Sequence, residues 1–249
     1  MKILGIIPAR FASSRFPGKP LADILGKSMI RRVYEQSMSA GTFDMVTVAT
    51  DDKRIMDHVC SWKGNCTMTS PSHRSGTERC FEALQSLQKF HGNRWEAIIN
   101  IQGDEPFIQH IQIQLTAGLL RDEKAEIATL CKKIITRDEL FNTNVVKLVC
   151  NTRREALYFS RSPIPFARNL PEESWAAEFA YFKHIGIYGY RSEVLGQIAS
   201  LPESPLEKAE SLEQLRWLVN GYKIMVALTD ADSIAVDTPE DLLKFTNMP

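Results

Sequence analysis

The chain has 249 residues, 44% apolar and 24% charged, and its 30 basic residues balance its 30 acidic ones. That make-up suits a compact globular protein, and no Lys/Arg block supplies the basic stripe with which nucleic-acid binders displace counterions. No apolar run approaches the roughly 20 residues of a membrane helix, and the run before Pro8 is too short and too interrupted for a signal peptide, so no nucleic-acid or membrane partner is expected and the location expected is cytoplasmic.

Lys2–Ile7, ending at Pro8, reads as a buried first strand. Met29, Ile30, Val33 and Tyr34 then recur at helical spacing on a helix that stops near Gly41. Met45–Thr50 is predicted as a strand, Asp52–Trp62 and Thr77–Phe90 as helices, and Ala97–Gln102 and Ile127–Lys132 as further strands. Apolar strands alternating with helices imply an α/β fold whose mostly parallel sheet is covered on both faces. The second half is less regular. Ala156–Ser160, His184–Tyr190 and Lys223–Leu228 read as strands, Glu210–Asn220 as a helix ending at Gly221, and Thr238–Phe245 as a last helix with Thr238 as N-cap and Pro239 in its first turn. No linker or low-complexity stretch divides residues 1–249, so one domain is expected. The five cysteines (Cys60, Cys66, Cys80, Cys131, Cys150) are odd in number and form no CxxC pair; they read as small buried hydrophobes, not as disulfides or zinc ligands.

In a parallel α/β sheet, ligands sit beyond the carboxyl ends of the strands, so the residues just past each strand carry the chemistry. The first strand leads into a loop holding Arg10, Arg15, Gly18 and Lys19. Three cations on one short loop repel unless an anion lies between them, and a triphosphate fits guanidinium forks and an ammonium; a solvated surface loop is the plain alternative. It is neither a Walker A loop nor a GxGxxG fingerprint, because Pro20 comes directly after Gly18-Lys19 and the glycine spacing is absent. Asp104, just past a buried strand and between Gly103 and Glu105-Pro106, is poorly explained by packing. Hard cations such as Mg²⁺ bind through one or two carboxylates together with substrate phosphates. Asp237 offers a second carboxylate, although the electrostatics of a helix start would equally explain it. The Asp230-x-Asp232 pair reads as an exposed turn.

Ser75-Gly76-Thr77 opens a helix, where backbone N–H groups bind anions or simply accept a cap. Along the strand His184–Tyr190, the side chains of His184, Tyr188 and Tyr190 share one face with Gly186, opposite Ile185, Ile187 and Gly189. A polar-aromatic face of this kind suits a sugar pocket, while a structural histidine remains the alternative. On the predicted Glu210–Asn220 helix, Glu210, Glu213 and Gln214 share a face opposite Leu212, Leu215 and Val219.

Ile7-Pro8-Ala9-Arg10 followed by Ser14-Arg15-Phe16-Pro17-Gly18-Lys19-Pro20-Leu21 closely resembles the signature loop of the 3-deoxy-manno-octulosonate (Kdo) cytidylyltransferases, also called CMP-Kdo synthetases. The likeness continues through Ala49-Thr50-Asp51, Ser75-Gly76-Thr77-Glu78-Arg79 and Asn100-Ile101-Gln102-Gly103-Asp104-Glu105-Pro106. It extends to Ala156-Leu157-Tyr158-Phe159-Ser160-Arg161, His184-Ile185-Gly186-Ile187-Tyr188, Leu212-Glu213-Gln214-Leu215-Arg216 and Val236-Asp237-Thr238-Pro239-Glu240-Asp241.

The resemblance implies a Rossmann-like nucleotidyltransferase fold with a smaller mixed region forming the sugar site, acting as a homodimer with CTP as co-substrate and one or two Mg²⁺ ions. It implies that Asp104 and Asp237 hold magnesium together, and that Arg10, Arg15 and Lys19 offset charge on departing pyrophosphate. Pro8, Ala9, Arg10, Lys19, Arg74, Ser75, Gly76, Arg79 and Gln102 are then the nucleotide contacts. The family often has lysine or an uncharged residue where this chain has Arg74. Gln102, Arg161, His184, Tyr188, Glu210, Glu213 and Gln214 become the contacts to the acid sugar, with Arg161 suited to its carboxylate. The expected reaction is attack of the Kdo anomeric hydroxyl on the α-phosphorus of CTP, forming CMP-Kdo for lipopolysaccharide assembly. A cytidylyltransferase for 8-amino-Kdo or a sialic acid shares this apparatus, and a non-catalytic nucleotide-binding module is a rival of another class.

Overall fold

The computed structural model describes residues 1–12, 16–92, 94–232 and 234–245. Among these residues, eleven strands and nine α-helices alternate along the chain. They are β1 (Ile3–Ala9), β2 (Asp23–Ile24), β3 (Lys27–Ser28), α1 (Met29–Ser39), β4 (Met45–Thr50), α2 (Lys53–Ser61), β5 (Cys66–Met68), α3 (Gly76–His91), β6 (Ala97–Asn100) and α4 (His110–Leu119). Next come β7 (Ile127–Lys133), α5 (Arg137–Phe141), β8 (Lys147–Cys150), β9 (Ala156–Ser160), α6 (Trp175–Glu178), β10 (Phe182–Arg191), α7 (Ser192–Ala199), α8 (Pro205–Glu210), α9 (Gln214–Val219) and β11 (Ile224–Leu228), and a 3₁₀ turn over Pro239–Phe245 closes the described chain.

The main sheet runs β11-β7-β10-β6-β1-β4-β5. β1 pairs in parallel with β4 and β6, β4 with β5, and β11 with β7. β10 is antiparallel to both of its neighbours, β6 and β7. The β8–β9 hairpin adds to the first residues of β10, through Phe182↔Leu148 and Lys183↔Lys147.

Alternation along β1 explains the layering. Ile3 and Ile7 join one buried cluster with Ile30, Val33, Ile55 and Ile113, so α1, α2 and α4 cover that face. Leu4 and Ile6 join the other with Cys80, Leu84, Leu195, Leu215 and Trp217, placing α3, α7 and α9 opposite. A smaller cluster of Ile134, Leu140, Trp175, Ala176 and Tyr181 forms the mixed region beside β8–β10.

The predicted strands and the first two helices after α1 are present, with ends moved by a residue or two. Three expectations fail. Of the five cysteines only Cys80 and Cys131 are buried, with Cys60 and Cys150 exposed. The last predicted helix is a 3₁₀ turn, and one predicted helix is broken. The helix predicted over Glu210–Asn220 is two helices, because Ser211 sits in the left-handed region at φ 52° and stops α8. α8 is itself a defined unit, started by Pro205 behind a Ser204/Glu207 capping box. Glu210 therefore does not share a helix face with Glu213 and Gln214.

Candidate active site

The carboxyl ends of β1, β4 and β6 meet at Pro8. A side chain on Gly103 would place its Cβ 2.7 Å from the Pro8 carbonyl oxygen, and one on Gly76 would lie 3.5 Å from both Pro8 Cγ and Asn100 Nδ2. Two glycines thus let the loop after β6 and the start of α3 close onto the end of β1. Gly18, at φ 74°, turns the loop after β1, and its N–H donates to Phe11 O at 2.9 Å. That turn directs Lys19 inward.

Lys19 Nζ donates to Asp104 Oδ2 at 2.8 Å and to Val236 O at 2.8 Å, and lies 3.8 Å from Asp237 Oδ1. Val236 N in turn donates to Asp104 O at 2.9 Å, stitching the last segment to the loop after β6. Two carboxylates remote in sequence therefore converge on one cation. Two hard carboxylate donors flanking one cation are the kind of donor set a small dication would take, with the remaining ligands left to water or phosphate. Arg10 is exposed at the rim, with Nη1 donating to His73 O at 3.5 Å. Arg15 lies outside the described residues.

Ser75 caps α3, its Oγ accepting from Glu78 N, and Arg74 N donates to Glu78 Oε2. The Arg74 side chain is exposed. Arg79 is placed differently from its expected nucleotide contact. It is buried, donating to Asp51 Oδ2 at 2.9 Å and to Thr69 Oγ1 at 2.5 Å. It ties α3 to the segments after β4 and β5, behind the loop that carries Ser75 and Gly76.

β10 carries a bulge. Its register with β7 passes from Ile185↔Leu130 to Tyr188↔Thr129, leaving Gly186 and Ile187 without partners on that strand. Two extra residues preserve the alternation, so His184, Tyr188 and Tyr190 share a face as predicted. His184 is tilted against Tyr188 at 5.1 Å, Tyr188 stacks on Tyr190 at 6.0 Å, and Trp217 meets both tyrosines edge-on. The Tyr188 hydroxyl is buried without a hydrogen-bond partner among the described residues. Desolvation pushes His184 down to about 3, so its imidazole is neutral at physiological pH. Gln102 Nε2 donates to Gly186 O at 3.0 Å, joining the loop after β6 to the bulge.

Glu213 is half-buried at the start of α9. Desolvation raises its pKa, opposed by hydrogen bonds from Ser75 and Thr77 and by the charge of Arg216. Thr77 Oγ1 donates to Glu213 Oε2 at 3.0 Å, linking α3 to the start of α9. Gln214 is buried beside it. Glu210 accepts instead from Ser160 Oγ at 2.6 Å and Arg161 N at 2.9 Å. The Arg161 guanidinium donates to the carbonyls of Glu210, Thr143 and Ser211. These two residues lock β9 to α8. Asp232, read as part of an exposed turn, pairs with Lys183 at 3.0 Å and with Lys132.

Sequence reasoning does not single out Asn100 or Thr129, both buried on strands that reach the site. A polar residue inside an apolar strand, as in Ile98-Ile99-Asn100-Ile101, was the available signal.

The family model described as Cytidylyltransferase matches residues 4–224. The chain is 52% identical to 3-deoxy-manno-octulosonate cytidylyltransferase of Parabacteroides distasonis, over 98% of this chain and 96% of the relative. It is 53% identical to the Bacteroides thetaiotaomicron enzyme of the same name, over 97% and 96%. A CMP:2-keto-3-deoxy-manno-octonic acid synthetase solved in complex with CTP superimposes with a TM-score of 0.88 at 43% identity, covering 98% of this chain and 96% of the other. A 4-diphosphocytidyl-2C-methyl-D-erythritol synthase from Anaerococcus prevotii, 14% identical with a TM-score of 0.61, shares the fold. With full-length identity near one half and a converged pair of carboxylates at the strand ends, the chain belongs to the 3-deoxy-manno-octulosonate cytidylyltransferase family of nucleotidyltransferases.

Proposed function

We infer that the enzyme transfers the cytidylyl group of CTP to the anomeric hydroxyl of Kdo, releasing pyrophosphate and forming CMP-Kdo. The observation that carries the reading is the meeting of Asp104, Asp237 and Lys19 at the end of β1, within a chain nearly half identical to a synthetase solved with CTP. In-line displacement at phosphorus asks for positioning and charge neutralisation more than covalent help. Pro8, Ala9, Ser75 and Gly76 form the close-packed floor for the nucleotide, and Arg10 and Lys19 supply cations on the pyrophosphate side. Arg15 belongs to the same proposal through its place in the loop. Arg79 acts from behind, by holding α3 and Asp51 together.

Asp104 and Asp237 would hold magnesium, which neutralises phosphate charge and lowers the acceptor hydroxyl's pKa when bound. His184 and Tyr188 face the acid sugar, and Gln102 stands between the two substrates. Gln214 and the half-buried Glu213 border the sugar from the start of α9. Arg161 and Glu210 shape the far wall, where Arg161 has donors already partly committed to carbonyls. The product would supply activated Kdo for lipopolysaccharide assembly. The family likeness further supports a cytoplasmic homodimer. The exposed side chains of Ile135 and Phe166, on the mixed region, are apolar surface available for self-association.

The test is pyrophosphate release from CTP with Mg²⁺, comparing Kdo, 8-amino-Kdo and N-acetylneuraminate. Release with Kdo, abolished by EDTA, supports the reading. Release only with another acid sugar moves the acceptor assignment, and no release with any of them overturns the activity.

A further inference from the structure

The bulge in β10 sends the backbone of Gly186 and Ile187 away from β7, and side chains reach their carbonyls. Gln102 Nε2 donates to Gly186 O, while Thr129 Oγ1 donates to Ile187 O at 2.7 Å, with Ile185 O at 3.3 Å. Thr129 is fully buried, directly across from Tyr188. The same Thr129 oxygen lies 2.9 Å from His184 Nε2.

A threonine hydroxyl has one proton to give. A carbonyl can only accept, so the Thr129 proton goes to the bulge, and the oxygen is left to accept from His184. Nε2 must then carry the ring hydrogen, and Nδ1 is the bare lone pair. Nδ1 has no hydrogen-bond partner among the described residues. Phe159 stands edge-on to the ring at 5.3 Å and Tyr188 lies against it, so the ring plane is held as well.

We propose that Thr129 is a positioning residue: by giving its proton to the β10 bulge it fixes His184 as the Nε2–H tautomer, so that Nδ1 is presented as an acceptor to a hydroxyl of the sugar acid. The second half of this statement rests on the reading that His184 faces the acceptor. The first half is independent of any substrate.

The two halves separate experimentally in the full-length protein. Nitrogen NMR of the His184 ring, without substrate, is expected to show a protonated Nε2 and an unprotonated Nδ1 in the wild type and in Thr129→Ser. In Thr129→Val the Nε2 partner is gone, and the Nδ1–H form is expected to gain population. Loss of one directed hydrogen bond should raise the acceptor KM about tenfold, with the CTP KM unchanged and Thr129→Ser restoring the wild-type value. A wild-type ring protonated on Nδ1 overturns the proposal outright. So does a Thr129→Val protein that folds with an unaltered tautomer or an unaltered acceptor KM. If Thr129→Val does not fold, the wild-type spectrum and Thr129→Ser still decide the tautomer. Should no acid sugar be turned over, the functional reading fails while the NMR result stands on its own.

Discussion

Asp104 shows how one carboxylate differs from its neighbours at the same rim. It sits on a loop closed by Val236 and bonded by Lys19, so its oxygen is aimed before any substrate arrives. Removing charge from such a preorganised group lowers turnover far more than ground-state binding. Asp104→Asn should reduce kcat by about 10²–10³-fold with little change in CTP affinity, as read by steady-state kinetics and calorimetric titration. Arg79 makes the opposite case. Its charge lies in the interior against Asp51, so Arg79→Met leaves a carboxylate without its partner and should cost about 3 kcal/mol in urea denaturation. The sequence shows both residues as charges within the motif blocks, but burial separates their roles, and burial depends on which segments meet. The sequence could single out Asp104, because a carboxylate at a strand end has little packing to do. It could not tell the role of Arg79, since nothing in the sequence places Asp51 and Thr69 across from it.

His184 carries a pH consequence. Its pKa falls from the ordinary 6.5 to about 3 on folding because its charged form is desolvated. Between those values the unfolded chain binds the proton and the folded one does not, so stability rises with pH across this window and is fully present above about 6.5. Relative to His184→Gln, the wild type should lose up to about 1.4 kcal/mol per pH unit on acidification below 6.5, measured by urea midpoints. An equal acid slope in the two proteins would show that the imidazole is charged in the fold.

At the scale of elements, the site is assembled by close approach. Gly103 lets the loop after β6 ride directly on the end of β1, where an added methyl would meet a backbone oxygen rather than a yielding side chain. Gly103→Ala should therefore displace Asp104, lowering kcat at least tenfold while costing about 1–3 kcal/mol of stability; assay and thermal melt together check this. Seven of the eleven described strands were readable from their apolar runs, while the short β2, β3, β5 and β8 were not. The faces of β10 followed from simple alternation, because a bulge of two residues leaves parity intact. The break at Ser211 was not readable. Leu212, Leu215 and Val219 keep helical spacing only after the break, so the periodicity does not mark where it falls, and a left-handed residue, which serine seldom is, stops the first helix. That break turns Glu210 toward β9 and Glu213 toward α3, so two carboxylates read as one surface serve two walls.

For the whole molecule, the sheet gathers chemistry from distant parts of the chain. Ligands that bind only the folded form should raise its melting temperature in proportion to the logarithm of their concentration. CTP with Mg²⁺ is expected to raise the melting temperature of the wild type and to do so less for Lys19→Ala, because in the proposed reading Lys19, which bonds Asp104, offsets phosphate charge. An identical shift in both proteins would remove Lys19 from the site. The α/β class and the sites at strand ends were legible in the alternation of apolar runs with helices. The order of strands was not, since an antiparallel strand between β6 and β7 leaves no mark in composition or periodicity.

The insertion of β10 also bears on how the chain acquires its shape. β7 reaches the rest of the sheet only through β10, which is synthesised some fifty residues later. Until then β6 presents an open edge and β7 has no neighbour on that side, so a nascent chain holding only the first half would be a sheet with a gap at its centre. Pairings of such long sequence separation are slow to form, and unpaired edges invite association in the meantime. The strand proposed to face the acceptor is thus also the keystone of assembly, and damage to it should surface first as poor yield on expression.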